Sequence, residues 1–105
     1  MKKTITTSLL TMMSVGTLAG PHYQSGNISN LTAEPEGIMI MLDSGLPDNC
    51  KGSLYGWMQI KKEDTPISSV VLAAWASGKK AGTVYTDGIP DNSAYCVINQ
   101  FDPNG

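Results

Sequence analysis

The chain has 105 residues, of which 41% are hydrophobic and 15% are charged, and its net charge is −2 at pH 7. This length fits one domain and excludes a multidomain enzyme, and two cysteines are too few for a disulfide-dense miniprotein. All seven basic residues are lysines. An acidic chain without arginine is not expected to bind nucleic acid, because contacts with phosphates need clustered cations.

The N-terminal segment has the pattern of a secretory signal peptide. A basic start at Lys2 and Lys3 precedes an uncharged, partly apolar stretch that ends in small residues at Ala19. The sequence therefore predicts a signal peptide over residues 1–19 and a location in the periplasm or outside the cell; a buried first helix is the alternative. The stretch is too short and too rich in threonine for a membrane span. Residues 20–25 are expected to form a flexible leader, and residues 26–105 a single domain.

Cys50 and Cys96 are the only cysteines. In an exported chain an even number implies disulfide bonding, and two cysteines allow one pairing. A redox or metal-binding pair is the alternative, but CxxC spacing is absent and the single histidine, His22, lies far away in sequence. We therefore predict a structural Cys50–Cys96 disulfide.

Strand patterns occupy most of the remaining chain. In chain order, the predicted strands cover residues 26–31, 38–42, 53–60, 81–86 and 94–101. The first is the least regular, because its apolar residues Ile28 and Leu31 are three apart. Gly56 inside the third predicts a bulge or a bend.

A helix is predicted over residues 67–77. Thr65 can cap it, Pro66 suits the first helical position, and Gly78 suits its end. Bulky residues form one wide arc of this helix: Ile67, Val70, Val71, Leu72, Ala74 and Trp75. The remaining arc is small and uncharged and consists of Ser69, Ala73, Ala76 and Ser77. Because a surface helix normally carries charges there, we expect either a neighbouring subunit or a loop of the same chain to cover this arc.

The order β-β-β-α-β-β predicts a mainly β protein with one helix, an OB-fold-like five-stranded barrel. A β-sandwich fragment and a β-grasp variant are alternatives. In such a barrel the third and fifth strands run side by side, which would bring the two cysteines together.

Several residues also resemble a known group of proteins. They are Gly26-x-Ile28-x-x-Leu31, one cysteine before the third strand, the helix end Leu72-Ala73-Ala74-x-Ala76-Ser77-Gly78-Lys79, and a late cysteine. This pattern is similar to small exported bacterial OB-fold proteins of the subtilase-cytotoxin B-subunit and AB5 toxin B-subunit-like group. The resemblance covers most of residues 26–101. It implies a binding module, with glycan sites on the outer surface and assembly as a homo-oligomer.

Neither an enzyme nor a cofactor or metal requirement is expected. The predicted domain lacks histidine and the common nucleophile, zinc and phosphate-loop motifs. One alternative is weak Ca²⁺ binding by turn aspartates, namely Asp43, Asp48, Asp87 and Asp91. Two of these aspartates lie in a similar five-residue sequence that occurs twice, as Gly45-Leu46-Pro47-Asp48-Asn49 and as Gly88-Ile89-Pro90-Asp91-Asn92. Each copy precedes a cysteine, and both are good turn sequences.

Ligand binding is the favoured function. Sugars stack on aromatic rings and bond to carboxylates and amides, so aromatic residues beside polar turns are candidates. The predicted ligand-binding residues are Tyr85, Asp87, Asp91, Asn92, Tyr95 and Trp57, with Tyr55 and Trp57 expected on one side of a strand. An alternative is a periplasmic structural or inhibitory protein that binds another protein through Ser69, Ala73, Ala76 and Ser77.

Overall fold

A computed structural model describes residues 20–103 of the chain. The predicted signal peptide, residues 1–19, lies outside the described residues. The strands are β1 (Tyr23–Glu34), β2 (Gly37–Leu42), β3 (Met58–Lys61), β4 (Ala81–Gly88) and β5 (Cys96–Asp102), and the helix is α1 (Thr65–Ser77). A mainly β protein with one helix and a five-stranded sheet is thereby confirmed.

The five strands pair in the order β1-β2-β3-β5-β4. All pairs are antiparallel except β3 and β5, which run parallel, with Met58 opposite Cys96. Strand β1 pairs with β2 through its second half and with β4 through its first half. The sheet therefore closes on itself.

A register shift within β1 explains its irregular pattern. Ile28 pairs with Leu42 but Asn30 pairs with Met41, so Ser29 is an extra residue, as in a β-bulge. In a regular strand, residues three apart face opposite sides. The shift lets buried Ile28 and partly buried Leu31 both pack against one core.

The predicted flexible leader at residues 20–25 is wrong. Strand β1 begins at Tyr23, which pairs with Tyr85 of β4. Before it, the backbone N–H of Asp48 donates to the Gly20 carbonyl at 2.8 Å, and that of Thr86 donates to the His22 carbonyl at 2.9 Å. These bonds join residues that are distant in sequence, so local composition gave no sign of them.

The predicted strand over residues 53–60 is half wrong. Only Met58–Lys61 forms a strand, and Leu54–Gly56 forms a 3₁₀ turn in which Tyr55 has a φ of 58°. The N–H of Leu54 donates to the Ala94 carbonyl at 2.9 Å, and that of Gly56 to the Ser53 carbonyl at 3.0 Å. The bend predicted at Gly56 is present, but Tyr55 and Trp57 do not share the face of a strand.

Helix α1 follows the prediction closely. Pro66 lies in its first turn, and Gly78 ends it in the left-handed conformation with φ 80°. The capping position is Asp64 rather than Thr65, and no side chain caps the helix. Val71 and Ala74 are buried. Part of the predicted bulky arc faces solvent, however, since Val70 and Leu72 are 40% and 43% exposed.

The core lies inside the closed sheet and against α1. Its buried members include Ile28, Ile40, Met58, Ile60, Val71, Val84, Ile98 and Phe101. The predicted disulfide is confirmed: Cys50 and Cys96 are bonded with a Cα–Cα distance of 5.2 Å, and both are buried. No helix among the described residues reaches the length and apolar character that a membrane crossing requires.

Candidate functional site

A cleft of about 450 Å³ opens on the outside of the closed sheet, beside β3. One wall is the β4–β5 loop, represented by Asn92, Ser93 and Tyr95. The opposite side comes from the β1–β2 hairpin and β3, through Glu34, Glu36, Gln59 and Lys61. The cleft therefore joins residues from both halves of the chain.

The β3 side of the cleft is polar and ordered. Gln59 lies between buried Met58 and Ile60, so strand alternation turns its side chain outward. Its Nε2 donates to Glu34 Oε2 at 3.1 Å. Because this bond occupies one carboxylate oxygen, the cleft presents the other oxygen and the Gln59 carbonyl as acceptors, beside the Lys61 ammonium donor.

The loop wall is held by its own hydrogen bonds. The backbone N–H of Ser93 donates to the Pro90 carbonyl at 3.1 Å, and that of Tyr95 donates to Ser93 Oγ at 3.1 Å. The disulfide at Cys96 then fixes the end of the loop. Half-buried Tyr95 is consequently held at the wall of the cleft by its backbone.

The predicted ligand residues divide among three places. Asn92 and Tyr95 line the cleft, and exposed Asp91 precedes Asn92 in the same loop. Half-buried Trp57 precedes β3 and does not line the cleft.

Tyr85 and Asp87 lie on β4 instead. The Tyr85 ring lies 6.2 Å from that of Tyr23, centroid to centroid, and Asp87 Oδ1 accepts a hydrogen bond from Asn99. The structure therefore does not bring the predicted set into one site.

Sequence reasoning missed the β3 side of the cleft. Gln59 could have been found, because it alternates with two apolar residues in the best-defined part of the third predicted strand. Glu34 could not, because the prediction ended the first strand at residue 31, whereas β1 continues to Glu34.

Within residues 20–103, neither the turn aspartates nor any other histidine, cysteine or acidic side chains come together in a group of three that could hold a metal ion. Asp43 instead binds Asn27, whose backbone N–H donates to Oδ1 at 2.9 Å and whose side chain donates to Oδ2 at 3.1 Å. These two hydrogen bonds, the backbone one first, hold the pKa of Asp43 below its ordinary value.

A second, apolar groove of about 500 Å³ runs along α1. Three of the four predicted interface residues line it: Ser69, Ala73 and Ser77. Ala76 is exposed on the same helix outside the groove lining.

Comparisons with protein-family models, curated proteins and solved structures find no match for the chain. The resemblance to AB5 toxin B-subunit-like proteins therefore stays a prediction from the residues that carry it.

Proposed function

We propose that this protein is an exported binding module, rather than an enzyme, and that it holds a carbohydrate in the cleft beside β3. The observation that carries this proposal is the convergence of Tyr95, Asn92, Gln59 and Glu34 on one cleft. An aromatic ring with a few polar side chains is the usual composition of a small-molecule site.

The strand pairing supports the position of the site. We infer an OB-fold-like barrel, because the order β1-β2-β3-β5-β4 with a closing β1–β4 pair matches the five-stranded Greek-key barrel of that fold. OB-folds bind oligonucleotides and oligosaccharides over the β2–β3 face, between the β1–β2 and β4–β5 loops. Glu36 and the β4–β5 loop occupy those two loop positions here.

Charge favours a sugar over a nucleic acid in this cleft. Two of its three charged residues are glutamates, Glu34 and Glu36, against the single Lys61. A phosphate backbone would be repelled by the carboxylates and would find one cation. Sugar hydroxyls, in contrast, donate to carboxylates and amide carbonyls, and the apolar face of a pyranose can pack on Tyr95.

Export is part of the proposal. The Cys50–Cys96 disulfide is compatible with an oxidising compartment, in agreement with the predicted signal peptide. Both cysteines are 0% exposed, and the bond between them connects the segment before β3 with the start of β5. The disulfide thus supports the scaffold on which both sides of the cleft are mounted.

Glycan-array screening of the exported chain, followed by calorimetric titration of the best hit, tests the proposal. Glu34→Gln and Asn92→Ala should each weaken binding about tenfold, because the first replaces a carboxylate acceptor with an amide donor and the second removes an amide, each a loss of roughly 1.5 kcal/mol. Glu63→Gln is the matched control, since Glu63 is exposed and outside the cleft lining.

Equal melting temperatures of the three variants would show that the fold is intact. The proposal is overturned if no glycan binds, or if the cleft variants bind the hit as well as Glu63→Gln does.

A further inference from the structure

Two surface features of the protein are not used by the proposed cleft. The first is the tip, which we define as Leu54 and Tyr55 in the turn before β3. Leu54 is 41% exposed and Tyr55 is 77% exposed. The second is the helix groove, which we define as the apolar groove along α1 lined by Ser69, Val70, Ala73, Ser77, Lys79 and Pro103.

The tip is held rigidly although its side chains face solvent. Leu54 is bonded to Ala94, and Ser53 Oγ donates to the Trp57 carbonyl while accepting from the Cys96 N–H at 2.9 Å. Tyr55 occupies the left-handed region, which non-glycine residues rarely adopt and which is one of the strained conformations that cluster at functional sites. The backbone therefore holds a large, exposed aromatic residue at a defined position, where it can contact another molecule.

The helix groove has the complementary chemistry. Helix α1 contains no charged residue over its 13 positions, so its exposed side is unlike that of an ordinary surface helix. The lining combines alanine, valine and proline with two serine hydroxyls and one charge, Lys79. An apolar body with one polar end, such as a tyrosine side chain, fits this lining, and Lys79 complements the negative face of an aromatic ring.

The positions of the two features prevent them from meeting within one molecule. The tip contacts Ala94, just before β5, whereas Pro103 in the groove follows β5 directly. Seven residues of strand separate these points, roughly 23 Å. A knob at one end of a molecule and a matching pocket at the other produce head-to-tail contacts between copies.

We propose that a second copy of this chain inserts its tip into the helix groove, so that the protein associates head to tail. The contact is small: two side chains bury a few hundred Å² at most, below the roughly 800 Å² per partner of a standard interface. The association is accordingly weak and depends on protein concentration.

Sedimentation velocity of the full exported chain, from about 10 µM to about 1 mM, tests this proposal over the range where weak contacts populate. The mass should rise with concentration for the wild type. Tyr55→Asn should remove the rise, and asparagine tolerates the left-handed backbone. Ala73→Lys should also remove it, whereas Ala76→Lys, on the same helix but outside the groove lining, should leave it unchanged.

Mixing the two defective variants provides the decisive measurement. Tyr55→Asn retains an intact groove and Ala73→Lys retains an intact tip, so an equimolar mixture should form a dimer that cannot grow. The proposal is overturned by a wild type that stays monomeric at every concentration or by an Ala76→Lys variant as defective as Ala73→Lys. It is equally overturned by a monomeric mixture, which would show that the tip and the groove do not bind each other, or by a Tyr55→Asn variant that associates as the wild type does, which would indicate a symmetric helix contact.

Discussion

The hydroxyl of Ser53 accepts a hydrogen bond from the backbone N–H of Cys96 at 2.9 Å, directly beside the disulfide. Ser53 is 6% exposed and Cys96 is 0% exposed, so neither group can exchange this bond for water. The same hydroxyl donates to the Trp57 carbonyl. One side chain therefore connects the start of β5 with the turn that leads into β3.

Replacing Ser53 with alanine should destabilise the protein considerably. The buried Cys96 N–H would lose its partner, which costs about 1–3 kcal/mol. Chemical denaturation should show this decrease, whereas the exposed-helix control Ser69→Ala should change stability by less than about 0.5 kcal/mol. Equal stabilities of the two variants would contradict the assigned role of the Ser53 hydroxyl.

Removing the disulfide should have a larger effect. The bond joins residues that are 46 positions apart in sequence. For a closed loop of that length, the chain-entropy model gives a stabilisation of about 4 kcal/mol. The double variant Cys50→Ala/Cys96→Ala should therefore melt roughly 20 °C lower than the oxidised protein. Calorimetry with and without a reductant checks the prediction: reductant should lower the wild-type melting temperature and leave the double variant unchanged. A loss of less than a few degrees would contradict it.

Gly37 and Gly45 should respond differently to the same substitution. Both have positive φ, 146° and 98°. A methyl group on Gly37 would collide with the Ile60 carbonyl of the neighbouring strand, whereas a methyl group on Gly45 meets nothing within 4 Å.

Gly37→Ala should therefore cost about 4 kcal/mol, because backbone must move, and Gly45→Ala about 1–2 kcal/mol for its conformation alone. Urea denaturation of both variants provides the comparison. Similar losses of stability in the two variants would show that the Ile60 carbonyl lies farther from Gly37 than the structure indicates.

The elements with local signals could be predicted from the sequence. Pro66 and Gly78 delimit α1 because each acts on its own backbone, and the continuous apolar run of β2 needs no distant partner to be recognised. The cysteine count likewise determined the disulfide. In each case the information lies within a few residues of the feature it specifies.

The predictions that were wrong concern features that depend on contacts between residues distant in sequence. Tyr23 begins a strand because β4 pairs with it, and Tyr55 turns because Ser53 is bound to Cys96, 43 residues further along. The cleft combines Glu34 with a loop about 60 residues away, and no pattern in the sequence joins them. Composition placed Tyr85 beside the polar turn, but strand β4 carries it to Tyr23 instead.

The hydrogen bonds from Asn27 to Asp43 should make stability depend on pH in the acid range. They hold the pKa of Asp43 below its ordinary value, so the folded state binds this proton less readily than the unfolded state does. The stabilisation is therefore present above about pH 4 and is lost as pH falls through the lowered pKa. Asp43 is exposed, and the loss should accordingly be small.

Carboxyl NMR titration should give an Asp43 pKa below that of a model peptide. Asn27→Ala should move it upward only part of the way, because the side-chain donor is lost while the backbone N–H of residue 27 remains. Asp43→Asn should flatten the fall in melting temperature between pH 5 and pH 2 relative to the wild type. An Asp43 pKa at its ordinary value, or one that Asn27→Ala leaves unmoved, would show that these hydrogen bonds do not distinguish the folded from the unfolded carboxylate.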